Sequence, residues 1–237
     1  INKNTFFCQP PIVTSENHYE IRNYGQLAWI ADNINNGIIS NDISVDLMCD
    51  IHMPDDSRIS WTPVDIYSGN FNGNGYEISG LKFVSATDGN GGIFGTLKTA
   101  NVHDRGIVDS CFESENGNTG SLAGSALHGT TIERVYSLAD IKGSKTSGLV
   151  YNIDDSSLNN VFFAGSTDNN NKICRIPTGT FTNVFYVNDE TIYGNTGITN
   201  ISAEDLTSGM LAYTLGEGWY QTLGEDTYPV LNGESVV

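Results

Sequence analysis

Along the middle of the chain, an apolar residue followed by inward-type residues three and five positions on recurs in a fixed pattern. It reads Ile78, Leu81 and Phe83 in EISGLKF, and Ile132, Val135 and Ser137 in TIERVYS. It returns as Leu158, Val161 and Phe163 in SLNNVFF and as Phe181, Val184 and Tyr186 in TFTNVFY. A fifth copy, NVHDRGI, keeps Val102 and Ile107 but sets Arg105 in the middle slot. First positions at 78, 102, 132, 158 and 181 are 24, 30, 26 and 23 residues apart. A second element, GGIFG at 91–95, GSLAG at 120–124 and SGLVY at 147–151, places Ile93, Leu122 and Leu149 at steps of 29 and 27.

Repeats of this period are the mark of solenoids. Helical repeats would need extended i, i+3, i+4, i+7 runs, and the copies have none. The offsets fit a strand, a bend and a second short strand with both strands facing inward. Gly80 and Asn160, at or near that bend, suit a turn. Rungs pairing at about 4.8 Å would stack five copies to roughly 20 Å. The expectation is an all-β chain, a parallel β-helix or solenoid. Upstream, DISVDLMCDIHM alternates through Ile43, Val45, Leu47, Cys49 and Ile51, which predicts a strand. It and the stretch through Trp61 and Ile66 would supply earlier, less regular rungs.

Helices are expected at both ends, as caps for the open strand edges and core of terminal rungs. Asn23 is an N-cap with Gln26 in the capping-box position; Leu27, Ile30, Ala31 and Ile34 keep helical spacing and Gly37 stops the helix, predicting Asn23–Asn36. Ser202 with Asp205 opens a second, Ser202–Leu215, through Leu206, Met210 and Tyr213 to Gly216, weakened at Gly209. The organisation reads as one domain over 1–237: N-terminal segment and capping helix 1–41, rungs 42–201, helix and closing segment 202–237.

Composition narrows the partners. Eleven Lys and Arg against 28 Asp and Glu leave a net charge of −17, which argues against nucleic acid and anionic membrane surfaces. No apolar run reaches the roughly 20 residues of a membrane span. The chain opens INKNTFF, without Met or signal segment, and reads as a processed or excised piece. The 26 glycines, with many Asn, Ser and Thr, suit short strands and many turns. Cys8, Cys49, Cys111 and Cys174 have no metal-ligand spacing. Cys49 and Cys174 lie among apolar residues and read as free buried thiols, with a disulfide left open by the even count.

Candidate chemistry is sparse. His18, His52, His103 and His128 are scattered and read as surface residues. No nucleophile elbow, P-loop or dinucleotide fingerprint appears. Asp55–Asp56 and Asp154–Asp155 are loop pairs, and glycoside hydrolysis would need carboxyls facing each other across a substrate. Arg105 needs a partner in its inward slot: the expectation is a side chain reaching out past a bulge, or an ion pair with Asp104 or Asp109. Trp61, Tyr67, Tyr136, Tyr151 and Tyr186 are candidates for a sugar-binding aromatic strip, although Tyr186 holds an inward slot. Tyr136, between inward Val135 and Ser137, should face outward beside Arg134. The ligand-binding candidates are therefore Tyr136, Arg134, Trp61, Arg105 and Asp104. No catalytic residue and no cofactor is assigned; acidic loops leave Ca²⁺ open without a motif.

GNFNGNGYEISGLKF, then GGIFG, then ANVHDRGIV, resembles the GLUG-type repeat of bacterial surface proteins. Gly69, Phe71, Gly73, Gly75, Ile78, Gly80 and Leu81 match its glycine-rich strand entry, and Gly92, Phe94 and Gly95 its GLFG segment. Arg105 departs from the leucine usual in its slot. The closing WYQTLGEDTYPVLNG, with Trp219, Tyr228, Pro229 and Leu231, resembles the end segment of such proteins from gut Bacteroidales. The likeness runs from about residue 19 to 233 and is strongest over 69–95. It implies a right-handed β-helix in an extracellular or cell-surface setting. Some relatives are attached to IgA-cleaving metallopeptidases, but without HExxH that activity is not carried over. The functional expectation is a non-enzymatic surface module, adhesin-like or architectural, binding host or bacterial glycans or surface proteins within a larger exported protein. The alternative is a polysaccharide-active β-helix enzyme, a lyase or glycoside hydrolase.

Overall fold

In the computed structural model, which describes residues 8–56, 58–187 and 197–233, the chain winds into a right-handed parallel β-helix of about six turns. One long sheet carries His18–Ile21, Ser44–Leu47, Asn70–Asn72, Asn101–Val108, Thr131–Ser137, Val150–Phe163 and Ile176–Val187 in successive parallel registers. A smaller parallel sheet of Lys82–Ser85, Cys111–Ser114, Asp140–Gly143 and Ser166–Thr167 forms another wall. Tyr19, Val45, Phe71, Val102, Ile132 and Leu158 stack as one interior column. Ile93, Leu122, Leu149 and Ile173 sit in the core of the opposite wall, on successive rungs tied by backbone hydrogen bonds. The upstream alternation keeps its inward faces at Ile43, Val45, Leu47 and Ile51, but the chain breaks between Leu47 and Ile51 into two short strands.

The corners explain the repeat. Asp104, Arg134, Asn160 and Asn183 lie opposite one another at the first corner, with φ of 57°, 48°, 53° and 51°. Gly80 and Asp109 hold a second corner at 74° and 48°, and Thr99, His128 and Asp155 a third at 56°, 56° and 46°. A single left-handed residue turns the chain while the side chains two before it and one after it both point inward, which generates the +3/+5 spacing. Asn, Asp and Gly tolerate that conformation best.

Because two corners produce the same spacing, the five-copy alignment needs correction. Ile78 pairs with Ile107, while Phe71 pairs with Val102. The first-corner column is Arg105, Val135, Val161, Val184 and Ile198. Leu81 is absent from it: its backbone N–H meets Ser110 Oγ at 3.0 Å at the second corner.

Helix α1, Tyr24–Asn35, begins at Asn23, whose side chain accepts from the Gln26 N–H at 3.0 Å. Gln26 Oε1 reaches back one residue further than the capping box, to the Arg22 N–H at 2.6 Å. Its buried Leu27, Ile30 and Ile34 join the main core, each worth about 1.5–3 kcal/mol of burial. The helix packs beside Val64–Tyr67, with Asn35 bonded to Pro63 and Asp65 at 2.8 Å each. It covers an outer strand of the solenoid.

The C-terminal helix differs from expectation. Ser202 and Asp205 form the capping box, but Gly209 at φ +82° splits the segment into α2, Ala203–Thr207, and α3, Met210–Leu215. The segment packs along the flank of the solenoid. Leu211, Leu215, Trp219 and Leu231 form a second apolar cluster with outward-facing Val108, Tyr136, Phe162 and Phe185. A Cβ on Gly75 would stand 2.8 Å from the Leu231 carbonyl oxygen, and one on Gly218 3.2 Å from Arg134 Cδ. The clasp therefore spans several rungs, because these strands are apolar on both faces and both faces need cover.

Candidate functional site

The left-handed corner brings two of the sequence candidates together. Arg134 donates through Nε to Asp104 Oδ1 and through Nη2 to Asp104 Oδ2 at 3.0 Å, a two-point grip across neighbouring rungs. Its Nη1 reaches Glu133 at 2.5 Å. His103 Nδ1 lies 2.7 Å from Asp104 Oδ2, and its Nε2 3.2 Å from Asn70 Oδ1. Burial would raise the Asp104 carboxyl, but the hydrogen bonds from His103 and Arg134 outweigh it and hold it at about 2. The same contacts with Asp104 push the Arg134 guanidinium upward. Both groups stay charged near neutral pH, each neutralising the other.

Tyr136 does face out of the solenoid, yet it is fully buried beneath the C-terminal segment. It stacks on Phe162 with centroids 5.2 Å apart and planes 10° off parallel, and its hydroxyl donates to Glu77. Burial, then the Glu77 charge, raises the Tyr136 hydroxyl far above its usual range. Half-buried Glu77 is itself raised by burial, and Tyr228, also bonded to it, is pushed up to about 12. A raised carboxyl suits acid–base work, but this one is engaged by two tyrosines.

The other candidates are corrected. Trp61 is 2% exposed, with its indole N–H donating to the Gly92 carbonyl at 2.9 Å and its ring edge-on to Tyr24; it anchors α1 and offers no surface. Tyr67, Tyr151 and Tyr186 are buried too, so the proposed aromatic strip is core. Arg105 neither escapes past a bulge nor pairs with Asp104 or Asp109. It is wholly buried, its Cζ 4.5 Å from the Phe71 ring centroid and 5.7 Å from that of Phe94, and none of its side-chain nitrogens has a hydrogen-bond partner. Burial lowers it to about 9. The guanidinium rests on aromatic faces instead of a carboxylate.

The loop carboxylates do not converge. Asp55 pairs with Lys82 at 2.8 Å, Asp56 with Arg58 at 2.6 Å, and Asp154 accepts from Thr178 at 2.9 Å. Among the described residues no three His, Cys, Asp or Glu side chains are placed to hold a metal ion. Cys174 is buried, whereas Cys49 is only half-buried, its thiol donating to the Arg22 carbonyl at 3.1 Å.

The feature sequence reasoning missed is the open face beside the corner. Ser44, Asn70, Asn101, Thr131, Ser157 and Thr180 lie in one outward file. Glu20, Asp46, Asn72, His103, Glu133, Asn159 and Thr182 form a second file beside it. Every one is partly or fully exposed. Amides, hydroxyls and a few charges thus recur at the rung spacing of about 4.8 Å on a parallel wall. The signal was present as the polar partner of each inward residue, once the correct frame is known.

No protein-family model and no curated protein matches the chain. The fold is similar to the crystal structure of a "putative immunoglobulin A1 protease" from Bacteroides ovatus, at 15% identity and a TM-score of 0.53, over 95% of each chain. At that identity the likeness carries the fold alone.

Proposed function

We propose that the chain is a non-enzymatic module of an exported bacterial surface protein, adhesin-like or architectural, which binds glycans or surface proteins on its open polar face. The observation that carries this reading is the pair of aligned polar files from Ser44 to Thr180 and from Glu20 to Thr182. Repeated amides and hydroxyls present donors and acceptors together, as hydroxylated or peptide ligands require. The Asp104–Arg134–His103 cluster borders the face and is neutralised internally, so it shapes the surface more than it attacks a substrate. The GLUG-type resemblance and the acidic charge agree with an extracellular setting. The reading needs no cofactor; calcium dependence is checked by adding EDTA.

The test is a glycan and host-matrix array run beside a product-release assay on the same polysaccharides. Binding without turnover, weakened by Asn101→Arg together with Thr131→Arg, is the expected result. Release of product would overturn the module reading.

A further inference from the structure

The C-terminal clasp carries a second, separate feature. Between α3 and the closing segment lies a shallow cleft of about 510 Å³, walled by Gly209, Tyr213, Trp219, Tyr220, Gln221 and Leu223 among others. Tyr213 is 85% and Leu223 60% exposed. Among the described residues, no side chain lining the cleft is charged, on a chain whose net charge is −17.

Two polar groups in this wall are orphaned. Trp219 and Gln221 are each 6% exposed, and the indole Nε1 and the amide Oε1 have no hydrogen-bond partner. The Gln221 amide is anchored from its other end, where Nε2 donates to the Leu206 carbonyl at 2.8 Å. Folded proteins rarely leave a buried donor and a buried acceptor unsatisfied, because each costs about 1–3 kcal/mol. A sugar's hydroxyls supply both kinds of partner, one oxygen to accept from the indole N–H and one O–H to donate to the amide oxygen. Exposed tyrosine and leucine beside such a pair offer an apolar surface for the C–H face of a sugar ring.

We infer that this cleft binds a neutral saccharide, with Tyr213 as the stacking platform and Trp219 Nε1 and Gln221 Oε1 as the hydroxyl-reading groups. Both atoms are buried in the free chain, so binding draws at least one of these side chains toward the ligand and perturbs the Trp219 fluorescence. The site is distinct from the open polar face, and either can fail alone.

The experiment titrates the full chain with maltotriose, cellotriose, mannotriose and N-acetylchitotriose, and with trigalacturonate as the charged control, following tryptophan emission and calorimetric heat. A neutral trisaccharide is expected to bind and shift the emission. Tyr213→Ala, at an exposed position that leaves the fold intact, should weaken it about tenfold. Trp219→Phe, which retains a ring against Tyr136 and Phe162, should weaken it about fivefold. Asn101→Arg on the open face should leave the Trp219 emission shift unchanged. Silence across the neutral panel, tighter binding of trigalacturonate, or full affinity in both cleft variants would overturn the inference. Neutral-sugar binding that only Asn101→Arg removes would overturn the cleft while leaving the module reading intact.

Discussion

Val135 and Tyr136 are neighbours on one strand and head two apolar columns that run side by side through the same rungs. Val135, Val161 and Val184 point into the solenoid, where every neighbour is another turn of the coil. Tyr136, Phe162 and Phe185 point outward, and a segment from the far end of the chain covers them. The inner column is sealed by repetition and uses compact β-branched side chains. The outer one uses aromatics, two of which, Tyr136 and Phe162, have ring centroids 5.8 and 5.4 Å from that of Trp219. The difference teaches that the coil and its clasp are separable units: the coil completes its own core, whereas the clasp depends on the coil.

The largest effect should fall on the inner column. Val161→Asp puts an unpaired carboxylate where no water reaches, and should cost several kcal/mol or abolish folding. Loss of β-sheet circular dichroism or of the thermal transition checks it. Near-normal stability would mean that Val161 does not stack between Val135 and Val184.

The outer column should yield less, and differently. Phe162→Ala should cost about 3 kcal/mol, chiefly by releasing the clasp. Removing residues 202–237 should leave the sheet signal intact while a dye that reports exposed apolar surface binds to Tyr136, Phe162 and Phe185. Collapse of the sheet signal on truncation would erase the distinction between the units.

What the sequence showed follows the same division. The inner column was legible as a period because repetition writes the same residue type into each turn. Its frame was misread at Ile78–Leu81–Phe83 because the left-handed residue Gly80 creates at one corner the spacing that Arg134 creates at another. Tyr136 was assigned its direction but not its cover: the doublets Val135–Tyr136, Val161–Phe162 and Val184–Phe185 announce two buried faces, yet nothing local names the segment that buries the second. Trp61 was misjudged because an indole with a distant backbone acceptor, Gly92, resembles a surface platform until the coil closes. The split at Gly209 was foreshadowed only as a weak helix position.

Arg105 stands at the end of the inner column, beside Val135, and sharpens the comparison. A buried cation supported by two phenyl rings gives up its hydration without hydrogen bonds in return. Arg105→Met, which fills the slot with the unbranched apolar side chain nearest in length, should stabilise the chain by about 1–3 kcal/mol, read from the urea midpoint. Destabilisation would show that the guanidinium holds more of the core together than its contacts with Phe71 and Phe94 imply.

The smallest effect belongs to the corner between the columns. Asp104→Asn keeps a residue suited to φ near +57°, as Asn160 and Asn183 are at the same corner. It removes the charge that Arg134 and His103 engage. At neutral pH the cost should be about 1 kcal/mol, as for a partly exposed pair. Asp104 titrates at about 2 in the fold, below the ordinary 3.8, so its contribution is complete above about pH 4 and is lost as the pH falls through about 2. The gap between the parent chain and Asp104→Asn should therefore close on acidification, measured as urea midpoints at neutral pH and near pH 2. A gap that persists near pH 2 would assign the cost to packing at the corner, and one that is absent at neutral pH would show that the ion pair adds nothing to the coil.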